Sequence, residues 1–147
     1  MVEFYDTSAL LVYPNKITPD IWISEISIGE LENQSRFGVT EESRKYAREV
    51  LSIIRRVEPI VVLLEDAIRW YEGQDQEDKY SLERLDKRDF LSVILTAYYI
   101  ASICGEEFTF YTESYLGYVN ATSLYFGLNT EISMIGEKND KIISHST

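Results

Sequence analysis

Asp6 closes a short apolar strand, Val2-Glu3-Phe4-Tyr5-Asp6, and runs directly into Thr7-Ser8-Ala9-Leu10-Leu11. A carboxylate there stands at the carboxyl end of a buried parallel strand, the rim at which open α/β sheets bind ligands. Glu30, Asp89 and Glu113 recur at the edges of later elements, each just after a strand or at the start of a helix. Carboxylates gathered without basic partners repel one another, and a hard cation relieves that repulsion. The spacing therefore predicts a divalent-metal site built from distant acids.

Each acid has a competing structural role. Asp6, among Phe4, Tyr5, Ala9, Leu10 and Leu11, is expected to be buried, where an unpaired acid is costly. Its alternative is a helix N-cap, with Ser8 as a rival cap. Ser27-Ile28-Gly29-Glu30 fits a capping box, in which Glu30 would reach back to the helix start. Asp89 suits an N-cap for the helix at Phe90, and Glu113 suits a cap or a solvated position. Cys104 reads as core and His145 as part of a polar tail. One cysteine and one histidine exclude a zinc site of the sulfur–imidazole type. No glycine-rich phosphate loop is present.

The elements that must carry these acids are legible in outline. Val2–Tyr5 reads as a strand, Ser8–Tyr13 as a short helix stopped by Pro14, and Ile21–Ser24 as a second strand. A helix is expected over Ser27–Gln34, broken by Gly38. Thr40 then caps a long helix, Glu41–Arg56, with Ala47, Val50, Leu51, Ile54 and Val57 on its apolar face. Ile60–Leu64 is five consecutive apolar residues and predicts a strand buried on both faces. A helical turn or more at Ala67–Tyr71 and an acid-rich loop over Gly73–Tyr80 follow. Asp89 opens a helix to Ile103, ended by Gly105. Phe108–Tyr111 is the next strand, Tyr115–Tyr125 a last helix, and Ile132–Ile135 an edge strand. Alternating strands and helices predict an α/β fold, a three-layer α/β/α sandwich around a central, mainly parallel sheet. One domain over residues 1–136 and a loose tail over 137–147 account for the length.

The net charge is -11, from 25 acids and 14 bases. That balance opposes nonspecific nucleic-acid binding. Eight of the 14 bases, however, are Arg44, Lys45, Arg48, Arg55, Arg56, Arg84, Lys87 and Arg88, confined to two short stretches. They predict a local positive rim on an acidic protein. No apolar run approaches the ~20 residues that span a bilayer, and no signal peptide is visible. A lone cysteine fits a reducing cytoplasm.

At these residues the chain resembles PIN domains, metal-dependent ribonucleases with an α/β/α fold. The resemblance rests on Asp6-Thr7-Ser8-Ala9-Leu10-Leu11, on Ile26-Ser27-Ile28-Gly29-Glu30-Leu31, on the helix opened by Asp89, and on Phe110-Tyr111-Thr112-Glu113. It covers roughly residues 2 to 128. Glu30-Leu31-Glu32-Asn33, Arg44-Lys45-Tyr46-Ala47-Arg48 and the Tyr118–Leu128 segment are similar to the PIN domain fused to PhoH-type ATPases, here expected as a stand-alone domain. The third motif reads Arg88-Asp89 where the family often has Asn-Asp, and the fourth carries Glu113 where it usually has Asp. The resemblance implies an endoribonuclease that hydrolyses single-stranded RNA. Asp6, Glu30 and Asp89 would hold one or two Mg²⁺ or Mn²⁺ ions, supported by Glu113. Ser8, Arg88, Arg44 and Arg48 are the expected substrate-binding residues.

Two other readings stand beside it. One is a catalytically weakened PIN-like scaffold that binds RNA or a protein; the other is the toxin of a toxin–antitoxin pair. A homodimer is also expected from the habit of such domains to pair. A phosphatase would need a second Asp where the chain has Ser8, and a receiver domain a lysine where it has Thr112 and Glu113.

Overall fold

In the computed structural model, residues 1–74, 89–115 and 130–134 are described, with 89–91 and 130–134 described by their backbone course. Five strands, β1 (Val2–Tyr5), β2 (Trp22–Ser24), β3 (Ile60–Val62), β4 (Phe108–Thr112) and β5 (Thr130–Met134), form one sheet. All four pairings are parallel, and the order across the sheet is β3-β2-β1-β4-β5. The described helices are α1 (Thr7–Val12), α2 (Glu25–Phe37), α3 (Glu41–Val57), α4 (Leu64–Glu72) and α5 (Asp89–Ile103).

Side-chain alternation along the strands sends apolar groups to both faces of the sheet. On one face Val2, Phe4, Phe108 and Phe110 meet Val93, Ala97 and Ile100 of α5. On the other, Tyr5 and Ile23 meet Leu10 of α1, Leu31 of α2 and Val50, Leu51 and Ile54 of α3. The expected helix-covered parallel sheet is therefore observed. Of the predicted apolar stripe of α3, Ala47, Val50, Leu51 and Ile54 are buried, Ala47 and Val50 completely, and Val57 is half-buried.

Local signals place the helix ends. Thr40 caps α3 by accepting from the Ser43 amide at 3.0 Å. At Gly38 a Cβ would stand 2.7 Å from the Gln34 carbonyl, so the tight turn between α2 and α3 has no room for a side chain. Gly105 ends α5 with φ of 68°, a conformation glycine adopts without strain.

Two expectations are corrected. The helix at the second acid begins at Glu25, not Ser27, because β2 ends at Ser24 and that residue is the N-cap, accepting from the Ile26 amide at 3.2 Å. Ser27 and Glu30 therefore form no capping box. The apolar run at 60–64 is an edge strand, with Ile60 39% and Val61 38% exposed, and its last residue already belongs to α4. The helical turn or more expected at Ala67–Tyr71 is observed, within that nine-residue helix. The helix expected over Tyr115–Tyr125 beyond its first residue, and the tail 137–147, lie outside the described residues.

Candidate active site

The sheet order reverses at β1. The chain steps outward from β1 to β2 and β3, then returns to lay β4 on the other side of β1. Ligands in open parallel sheets bind in the crevice outside the carboxyl ends at such a reversal. The residues immediately after β1 and β4 are Asp6 and Glu113. The ladder extends to the very edge, where the Asp6 amide donates to the Tyr111 carbonyl at 3.0 Å.

A cleft of about 260 Å³ opens at this point. Asp6, Thr7, Ser8, Glu30 and Ser114 form its polar wall, and Val93 of α5 closes it with apolar surface. Asp6 is the N-cap of α1, and its Oδ1 accepts from the Ala9 amide at 2.9 Å and from Ser8 Oγ at 2.6 Å. The residue is 7% exposed. Burial pushes its carboxyl above the usual range; hydrogen bonds from Ser8, Thr112 and the Ala9 amide pull the other way, and the charge of Glu30 adds to the rise. Asp6 and Glu30 are thus near enough to repel, although 24 residues separate them in the chain.

Glu30 lies one and a half turns into α2, so the helix points it at the crevice without using it as a cap. Its Oε1 accepts from Thr7 Oγ1 at 2.6 Å, and Thr7 Oγ1 also meets Ser27 Oγ at 2.7 Å. Glu113 is held at the site by its main chain, whose amide donates to Ser8 Oγ at 2.8 Å; the cleft wall at this point is Ser114. Asp89 is the first residue of α5, one turn ahead of Ser92 and Val93. Val93 lines the cleft and Ser92 lines the adjoining groove, which shares Glu30. The backbone therefore sets Asp89 one helical turn from these lining residues, while its side chain lies outside the described residues, as does all of Arg88.

The expected substrate-binding residues fare differently. Ser8 has one hydroxyl proton, and it goes to Asp6; Ser8 is a brace among Asp6, Thr112 and the Glu113 amide. Arg44 Nη1 donates to the Gly38 carbonyl at 2.6 Å and Arg48 Nη1 to the Ser35 carbonyl at 3.0 Å. Both carbonyls are at the C-terminal end of α2, where helix geometry leaves acceptors unpaired and the dipole favours cations. Neither arginine lines the cleft or the adjoining groove. The basic residue that does face this side of α2 is Arg36, which is exposed and lines a further groove with Gly29 and Asn33.

Three site residues had no signal of their own in the sequence: Thr7, Ser27 and Thr112. Their role depends on contacts across 20 or more residues. Among the described residues no group of three acidic, histidine or cysteine side chains stands ready to hold an ion. What is present is a pair of carboxylates without a salt bridge among the described residues, ringed by hydroxyls. Such an all-oxygen donor set fits Mg²⁺ or Mn²⁺ and not a soft metal. Among the described residues, no helix is long and apolar enough to cross a membrane. Compared with protein-family models, curated proteins and solved structures, the chain matches none of them.

Proposed function

We infer that this chain is a PIN-like endoribonuclease that hydrolyses single-stranded RNA with Mg²⁺ or Mn²⁺. The observation that carries the reading is the convergence of Asp6 and Glu30 on one cleft at the strand-order reversal, with no cation paired to either among the described residues. Two anions drawn together at the cost of mutual repulsion gain most from a bound divalent ion. Asp6 and Glu30 would hold it, with Asp89 as the third ligand from α5 and Glu113 in support. Such an ion, when bound, would supply Lewis-acid activation of a water and neutralise charge on the phosphate.

The chain's own groups do the rest. The Asp6 carboxylate stays fixed because both the helix cap and Ser8 hold one oxygen. Val93 excludes bulk water from one side of the cleft, which strengthens the local electrostatics. Two grooves run along α2 from Glu30, one lined by Glu25, Gly29, Asn33 and Ser92 and the next by Gly29, Glu32, Asn33 and Arg36. We assign them to the RNA strand, with Arg36 contacting phosphate.

The deciding assay is Mn²⁺-dependent cleavage of a mixed RNA pool by the wild type and by Asp6→Asn. Cleavage should be abolished in the variant while circular dichroism shows the fold intact. Cleavage by Asp6→Asn at the wild-type rate sinks the assignment. Calorimetry that finds no Mn²⁺ binding at millimolar concentration in the wild type would replace the enzyme with a binding scaffold.

A further inference from the structure

Thr7 and Ser27 sit on different elements, and the fold joins them to Glu30 in a chain of hydroxyls. Thr7 is the first residue of α1 and Ser27 belongs to the first turn of α2. Thr7 Oγ1 donates to Glu30 Oε1 at 2.6 Å. A threonine hydroxyl has a single proton, so the 2.7 Å contact between Thr7 and Ser27 has Ser27 as its donor. Ser27 is fully buried and cannot turn to water. An ionised carboxylate can only accept, so the proton order Ser27 to Thr7 to Glu30 is fixed from the Glu30 end.

We propose that Thr7 is a positioning residue that holds the Glu30 carboxylate for metal capture, with the buried Ser27 hydroxyl anchoring Thr7 Oγ1. This rests on the metal-dependent reading above and adds a residue to it. A glutamate on a helix surface has three side-chain torsions to order before it can act as a ligand, at a cost in rotamer entropy. The short bond from Thr7 orders them in advance. It engages Oε1, and among the described residues no hydrogen bond competes for Oε2. Groups that orient a metal ligand in this way tune affinity rather than chemistry. Thr7 and Ser8 are also neighbours on one turn, so the same turn that fixes Asp6 fixes Glu30.

The test is Mn²⁺ titration of the full chain, following the free-ion signal by electron paramagnetic resonance, with RNA cleavage measured in parallel. Thr7→Val keeps the shape of the side chain and removes its donor. It should weaken Mn²⁺ binding by about 10- to 100-fold, lower cleavage at limiting Mn²⁺, and recover toward wild type at saturating Mn²⁺ with KM for RNA unchanged. Thr7→Ser should bind as the wild type does. In a Glu30→Gln background, Thr7→Val should add little further loss, because its effect passes through Glu30. Thr7→Ala serves if the valine variant does not fold. Wild-type affinity in Thr7→Val or Thr7→Ala, or equal losses in the serine and valine variants, overturns the role of Thr7 alone. Failure of the wild type to bind Mn²⁺ overturns this proposal together with the metal-dependent reading, and so is told apart from failure of Thr7.

Discussion

A carboxylate that caps a helix needs only one of its oxygens for the cap, and in Asp6 that oxygen is Oδ1. Oδ1 takes both the Ala9 amide and the Ser8 hydroxyl, so the capping role and the ligand role are compatible in one side chain. The cost appears in its proton affinity. Burial, with the Glu30 charge adding to it, holds the folded carboxyl above its ordinary value. An unfolded aspartate titrates near ~3.9. Between that value and the raised folded one, the folded state binds more protons than the unfolded state and loses stability as pH rises. Asp6→Asn keeps the acceptor oxygen and removes the charge. In urea unfolding with metal chelated, the variant should gain stability relative to the wild type as pH rises through that interval, and the gain should level off above it. Parallel curves across the whole range would show that Asp6 carries no raised proton affinity.

The elements are tied together by side chains that serve two at once. Glu25 opens α2, yet its Oε1 accepts from the Leu64 amide at 2.6 Å, at the start of α4. The N-cap residue of α4, Leu63, offers no side-chain acceptor, so the orphan amide is satisfied from a different helix. Glu25→Ala should destabilise the protein by about 1 kcal/mol, with hydrogen exchange rising first in α4. Unchanged stability and exchange in α4 would refute this. Arg44 and Arg48 bond the end of α2 in the same manner, so two basic side chains of α3 brace the helix before it.

At the scale of the molecule, an acidic chain of net charge -11 keeps a cleft lined by two carboxylates at the reversal of its sheet. An ion that binds only the folded state stabilises it by mass action, about 2.7 kcal/mol at a hundred times Kd. For a domain of this size that corresponds to a rise in Tm of roughly 5–10 °C. Mn²⁺ should give such a rise in the wild type, and Asp6→Asn should abolish it in differential scanning fluorimetry. A shift of equal size in both proteins would point to surface binding by the net charge.

What was legible in the chain was local. The α3 stripe, the Thr40 cap, Gly38, Gly105 and the setting of Asp6 at a strand's end depend on neighbours within a turn or two, and periodicity and capping chemistry report those directly. The error at Ser27 arose because Ser24 and Ser27 both suit an N-cap, and the end of β2 chose between them. The misplacement of the 60–64 run arose because a row of apolar residues does not say whether a strand is central or at an edge. The gathering of Asp6, Thr7, Ser27 and Glu30 belongs to the tertiary structure alone. It follows from β1 and β2 pairing in register, Tyr5 with Ile23, which sets the starts of α1 and α2 side by side. Strand order and register are fixed by burial summed over the whole sheet, and no short stretch of sequence contains that sum.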